Sequence, residues 1–327
     1  MVKKMTKTSQ LPQHKLLGNL DIKNIHYLTK WMILDKPEKL ETIKRSQLYA
    51  GYPEGFNDVF DSQIKIGNTE KRKISQSVAN KDVQLNVLED LRGSQKKDFN
   101  RDSYYLDELS ILIEQTHGAN IACFSELNPL LLESNHMWGV YGSCGYGIAL
   151  KYKIGRLKQW IATNKYYNSS FYEVVYSNQE IINNKLKWLE SILEILVLDK
   201  SDKKIERAVN SRMALLTYKS QEWQFEKEWR FLNLSEVFTP KDNENTVNYI
   251  QRIEQYRQNK HNCLFDFIKP DEIIFGWNNH KNQNWEAYAY TELEKWAKDN
   301  HVKCVYLDDK LNYAENKFKT RPKRLPE

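Results

Sequence analysis

Two glutamates, Glu226 and Glu228, stand two residues apart in residues 223–231, together with Arg230, Trp223 and Trp229. On a strand, residues i and i+2 point to the same face, so the pair is expected to present two carboxylates side by side. Like charges at that distance repel and push one pKa upward. That suits general acid–base work, or leaves one carboxylate to orient a substrate hydroxyl while the other tunes it. Trp223 and Trp229 add apolar walls that strengthen electrostatics inside a site. The same spacing also fits a solvated strand face, with Lys227 and Arg230 as counter-charges.

Three other stretches carry chemistry-bearing residues. Phe56-Asn57-Asp58-Val59-Phe60-Asp61 sets polar side chains between two aromatic anchors. Asn57 and Asp58 can brace a turn through their side chains, hold ribose hydroxyls, or join Asp61 at a hard cation. Further acids for such a cation are not identifiable. Cys123-Phe124-Ser125-Glu126 ends an apolar run, and Ser125 has no His or Asp partner in view for a hydrolase triad. Gly142-Ser143-Cys144-Gly145-Tyr146-Gly147 lacks the Gly-Lys-Ser/Thr of a phosphate loop and precedes a strand-like run. It reads as a tight turn that lets a ligand approach backbone. The seven histidines are dispersed, with no metal-ligand spacing, so no metal is expected.

These side chains must be held by a mixture of strands and helices. Strands are expected at 22–29, 47–50, 120–126, 146–152, 171–176, 271–275 and 302–307, and another opens within 223–231. Helices are expected at 37–46, from Ser103 to Gly118, from Asn128 to Tyr141, and at 181–198, 203–218 and 245–258, with one more carrying Trp285 and Trp296. Strict βαβ alternation is absent, so the class is α+β, with a mixed central sheet or sheets and flanking helices. A single domain is expected over 20–312, between a basic arm at 1–19 and a basic tail at 313–327. Residues 67–100 are polar enough to read as an insert or lid.

The chain has 327 residues, 12% of them aromatic, and a net charge of +6. That aromatic content excludes a disordered chain. The mild positive charge, concentrated toward the ends, admits weak attraction to nucleic acid. Four cysteines without a CxxC pair, no signal-like apolar start and no membrane-length apolar run point to a cytoplasmic protein with no membrane partner. Oligomeric state is not encoded legibly.

Taken in order, the motifs resemble domain-of-unknown-function family 2971. They are a tyrosine-bearing first strand, F-N-D-x-F-D, C-F-S-E, M-W-x-x-Y followed by the glycine-rich turn, and W-x-x-E-x-E-W-R, with a closing strand at Glu272. The chain departs from the pattern at Val59, where a proline is usual, and after Tyr141, where a histidine is common. The resemblance implies a bacterial or phage setting near mobile or defence genes. More loosely, the order of a strand with His and Tyr, a strand with Ser and a strand with E-x-E is similar to that of ADP-ribosyltransferases.

That second likeness implies an ADP-ribosyltransferase-like fold and NAD as substrate. It implies that His26 and Tyr27 hold the ribose and Ser125 supports the nicotinamide half. Glu228 would stabilise the oxocarbenium-like transition state while Glu226 activates a nucleic-acid or protein acceptor. Tyr27 or Trp138 would stack on the nicotinamide, and Asn57, Asp58, Tyr141 and Arg230 complete the expected substrate-binding set. Three functions therefore compete: an NAD-using transferase or glycohydrolase of a toxin or defence system, a non-catalytic ligand-sensing or interaction module in such a system, and a metal-dependent nuclease. The first predicts His26, Ser125 and Glu228 in one cleft. The second predicts both glutamates locked in ion pairs with Arg230 or a lysine, and no open pocket. The third predicts Asp58, Asp61 and a glutamate converging on a cation.

Overall fold

The computed structural model describes residues 25–53, 66–85, 101–163, 169–177, 181–198, 212, 215–234, 241, 244–279, 284–312 and 315–321. The first half carries β1 Tyr27–Met32, α1 Pro37–Lys44, β2 Gln47–Tyr49, α2 Asn68–Leu85, α3 Arg101–His117, β3 Asn120–Ser125 and α4 Asn135–Val140. The middle carries β4 Ile148–Lys153, α5 Ile154–Thr163, β5 Ser169–Glu173, β6 Val175–Ser177, α6 Ile181–Leu198, β7 Tyr218–Ser220 and β8 Glu228–Asn233. The last part carries α7 Thr246–Gln258, β9 Leu264–Asp266, β10 Glu272–Phe275, α8 Asn284–Asp299, β11 Lys303–Asn312 and β12 Lys317–Arg321.

Eight of the strands form one mixed sheet in the order β12-β11-β10-β4-β1-β3-β8-β5. Its pairs are antiparallel except β10 with β11. The expected α+β class with a mixed sheet and flanking helices is what the chain adopts. Alternation along the strands sorts side chains onto two faces. Leu28, Phe124, Leu150, Phe171, Trp229, Phe231 and Phe275 share one face and pack in a single core with residues of α1, α5 and α8. The other face carries two apolar patches. One gathers Trp31, Leu127, Met137, Trp138, Ile274 and Phe318, and the other gathers Ile121, Tyr172, Leu216 and Leu232. Between them lies a polar strip that includes Thr29, Ser125, Glu228 and Arg230, all buried.

Several elements differ from the sequence reading. The first strand is shifted forward to Tyr27–Met32. The helix expected from Asn128 is only α4, preceded by a 3-10 turn at Leu132–Ser134; Asn128 accepts the Leu130 amide instead of capping a long helix. The helix expected to reach 218 stops short of it, because Tyr218 opens β7, which pairs with β6. The tail expected from 313 is, over Lys317–Arg321, the edge strand β12, and its Phe318 is buried against the stacked ring of Trp277. Within the stretch read as a lid, Asn68–Leu85 is a helix. Its Ile74, Val78 and Ala79 pack with Leu109 and Ile113 of α3 and Leu189 and Ile192 of α6. Residues 86–100, like the arm at 1–19, lie outside the described residues.

The glycine-rich turn closes on protein. Gly145 has φ +82°, and a Cβ there would meet the Trp277 ring at 2.4 Å. At Gly276 a Cβ would meet the Gly145 carbonyl oxygen at 2.3 Å. The space expected for a ligand against this backbone is filled by the turn after β10.

Candidate functional site

The residues 221–226 form a 3-10 turn, Lys227 takes the left-handed conformation (φ 44°), and β8 begins at Glu228. The two glutamates are therefore not neighbours on one strand face, as the spacing suggested. Glu226 closes a turn and Glu228 opens a strand. The left-handed residue reverses the chain locally, so both carboxylates reach one ammonium. Lys219, on β7, lies 2.6 Å from Glu226 Oε2 and 3.0 Å from Glu228 Oε2. Arg230 donates from Nε to Glu228 Oε1 at 2.8 Å and from Nη1 to the Leu216 carbonyl at 2.6 Å. Lys219, Glu226, Glu228 and Arg230 are each at most 5% exposed.

Hydroxyls complete the network. Tyr141 donates to Glu226 Oε1 at 2.6 Å, and Tyr176 accepts the Glu228 amide at 2.7 Å. Ser125 donates to the Glu226 carbonyl and accepts the Leu127 amide at 3.1 Å. Its hydroxyl is thus spent on fixing the turn. Ser125 and Glu228 are in register on adjacent strands, and Thr29 of β1 is in register with Ser125. The Lys219 ammonium also sits 4.9 Å from the Trp223 ring centre, a cation–π contact.

The two carboxylates are driven apart electrostatically. Burial first, and the nearby charge of Glu228 second, push Glu226 up to about 7 despite the Lys219 and Tyr141 hydrogen bonds. Burial also opposes the charge on Glu228, but Arg230 and then Lys219 outweigh it and hold that carboxyl well below the usual range. Burial and the Glu226 charge raise the Tyr141 phenol, so it stays protonated and donates. The arrangement is a fixed anion beside a carboxyl poised near neutrality, a pattern that separates acid from base roles.

The structure brings Ser125, Glu226, Glu228, Arg230 and Tyr141 together. It sets the other expected residues elsewhere. Trp138 is fully buried, donates its indole N–H to the Pro129 carbonyl at 3.0 Å and packs edge-on to Trp31, so it offers no face to a nicotinamide. His26 is exposed, and its carbonyl accepts the Ile154 amide. Tyr27 borders a separate 380 Å³ cleft that includes none of Ser125, Glu226 or Glu228. Asn57, Asp58 and Asp61 lie outside the described residues. Lys227, expected as a counter-charge, pairs with Glu133 at the surface.

Lys219 and Tyr176 were missed. A buried carboxylate pair requires a cation, and Lys219 is seven residues before Glu226, so the requirement was legible even though the strand carrying the lysine was not. None of the four cysteines is in a disulfide. Among the described residues no group of three His, Cys, Asp or Glu could hold a metal, and no helix is long and apolar enough to cross a membrane.

No curated protein and no solved structure matches the chain. Residues 137–231, which run from the M-W-x-x-Y motif through W-x-x-E-x-E-W-R and supply every side chain of the buried network except Ser125, match the family described as protein of unknown function (DUF2971).

Proposed function

We propose that the protein is a non-catalytic ligand-sensing or interaction module, in the bacterial or phage defence setting that the family resemblance implies. One observation carries this reading. Both glutamates are held in buried ion pairs by Lys219 and Arg230, as a structural core of charge requires. Buried charges stay only when paired and hydrogen-bonded, and here each is. A catalytic carboxylate must instead reach its substrate.

A second reading, an NAD-using transferase or glycohydrolase, is favoured by two observations. Ser125 and Glu228 are cross-strand neighbours beside β1, the order that the looser resemblance implies, and Glu226 is poised near neutrality. On that reading Tyr141, 37% exposed and bonded to Glu226, has to swing out to admit substrate. Nicotinamide release from NAD by the full chain separates the two. The sensing reading expects none. Release that is lost in Glu226→Gln, in protein whose thermal melt is unchanged, would replace it with the catalytic reading. The nuclease reading has no observation among the described residues to carry it.

A further inference from the structure

The same rung of the sheet that ends at Glu228 begins, four strands away, at Glu272 of β10. At about 4.8 Å per strand the two positions are roughly 19 Å apart. At the Glu272 end the sheet opens into the 380 Å³ cleft bordered by Tyr27. Four cationic side chains line it, Lys153, Arg156, Lys269 and Lys303, against two carboxylates, Asp271 and Glu272.

Those carboxylates are already engaged. Asp271 accepts Arg156 at 3.1 Å and the Lys153 amide at 2.8 Å. Glu272 accepts Lys303 at 2.8 Å and the buried Lys151 at 3.0 Å. Among the described residues no acidic group pairs with Lys153 or Lys269, and the Lys269 ammonium reaches only the Asn300 side-chain oxygen at 3.4 Å. The first turn of α5, the positive end of its dipole, borders the cleft through Arg156. The partly buried Tyr27 ring, fixed by Lys151 at 4.1 Å from its centre, supplies one flat wall.

We infer that this cleft is a binding site for a phosphate group, with Lys153 and Lys269, which have no acidic partner among the described residues, as its cations and Tyr27 as a wall for whatever the phosphate is attached to. Fixed ion pairs around Asp271 and Glu272 hold the walls in place, and the two remaining lysines have no acidic partner among the described residues, which leaves their charge for charge-assisted bonds to an anion. The phosphate can come free or on a nucleotide, and only the second uses the Tyr27 wall. The assignment deepens the sensing reading by naming what is sensed, and it fails independently of that reading.

Calorimetric titration of the full chain with inorganic phosphate, AMP and adenosine tests it. AMP is expected to bind and adenosine not, with affinity falling as salt is raised. Inorganic phosphate binding as tightly as AMP would also support the site and identify the free ion as its ligand. The double variant Lys153→Gln/Lys269→Gln is expected to weaken phosphate-dependent binding by about tenfold or more, with an unchanged melting curve, since Lys153 is exposed and Lys269 only partly buried. Absence of phosphate-dependent binding at millimolar ligand, equal binding of adenosine, or unchanged affinity in the double variant would overturn the assignment. None of those results bears on nicotinamide release, which alone decides the sensing reading.

Discussion

A lysine shared between two buried carboxylates makes the stability of this region depend on which of them is charged. Glu228 is the fixed anion between Lys219 and Arg230. Glu228→Gln leaves those two cations short of an anion and is expected to cost about 3–5 kcal/mol, read by urea unfolding. Glu226 is displaced toward its neutral form, and an amide keeps its shape and an acceptor for Tyr141, so Glu226→Gln is expected to cost about 1 kcal/mol or less. Equal losses for the two variants would contradict this division of charge.

The pH dependence follows with opposite signs for the two groups. Folding pushes the Glu226 carboxyl up from its ordinary value of 4.5 to about 7. Between those values the folded state binds more protons, so its contribution declines as pH rises through the window. Glu228, depressed below 4.5, contributes above that value, and the contribution is lost as pH falls through the acid range. Unfolding measured from about pH 5 to 7 should show a decline in the parent that flattens in Glu226→Gln. A slope that persists in the variant would mean the titrating group is another one.

At the scale of elements, β8 and β12 explain why the site sits where it does. All six residues of β8 are buried, so Glu228 and Arg230 had to be neutralised from within the same face. β7 does this by crossing with Lys219. β12 closes the opposite edge with one apolar side chain. Phe318→Ala removes a ring that is 4% exposed and stacked on Trp277, and is expected to cost about 3–5 kcal/mol, with a red shift of tryptophan emission as Trp277 gains solvent. The helix α2 gives a further test. It packs into α3 and α6 through Ile74, Val78 and Ala79, so its amides around those positions are expected to exchange as slowly as those of α3. Exchange at the rate of an open loop would restore the lid reading.

At the scale of the molecule, one sheet carries two polar regions on the same face, the closed charge network at β8 and the open basic cleft at the start of β10. β10 and β8 are four strands apart in the sheet, and β1 and β4 reach the cleft only with their end residues, Tyr27 and Lys153. His26 and Tyr27 do not meet Glu228 in a common cleft, although only β3 stands between β1 and β8. Tyr27 precedes Thr29, which is the residue level with Ser125, by two positions, and its neighbour across the sheet is Lys153. A variant pair chosen across that distance, Glu226→Gln with Lys153→Gln, is expected to combine additively in unfolding free energy to within about 0.5 kcal/mol; a larger coupling would mean the two regions communicate.

The sequence alone determined the α+β class, most strands and helices, and the nearness of Glu226 to Glu228, because periodicity and spacing act over a few residues. It also carried the family motifs across 137–231. It did not reveal β12, whose Lys-Phe-Lys-Thr-Arg has too little apolar content until β11 lies beside it, nor the packing of α2, whose few apolar residues suffice only against α3 and α6. Tertiary structure alone decided the character of the E-x-E stretch. Whether a carboxylate is a solvated face, a general base or a buried counter-ion depends on the cations and the depth of protein around it. Those are supplied by Lys219 from a separate strand and by Tyr141 from the turn after a helix, more than eighty residues earlier, contacts no local pattern encodes.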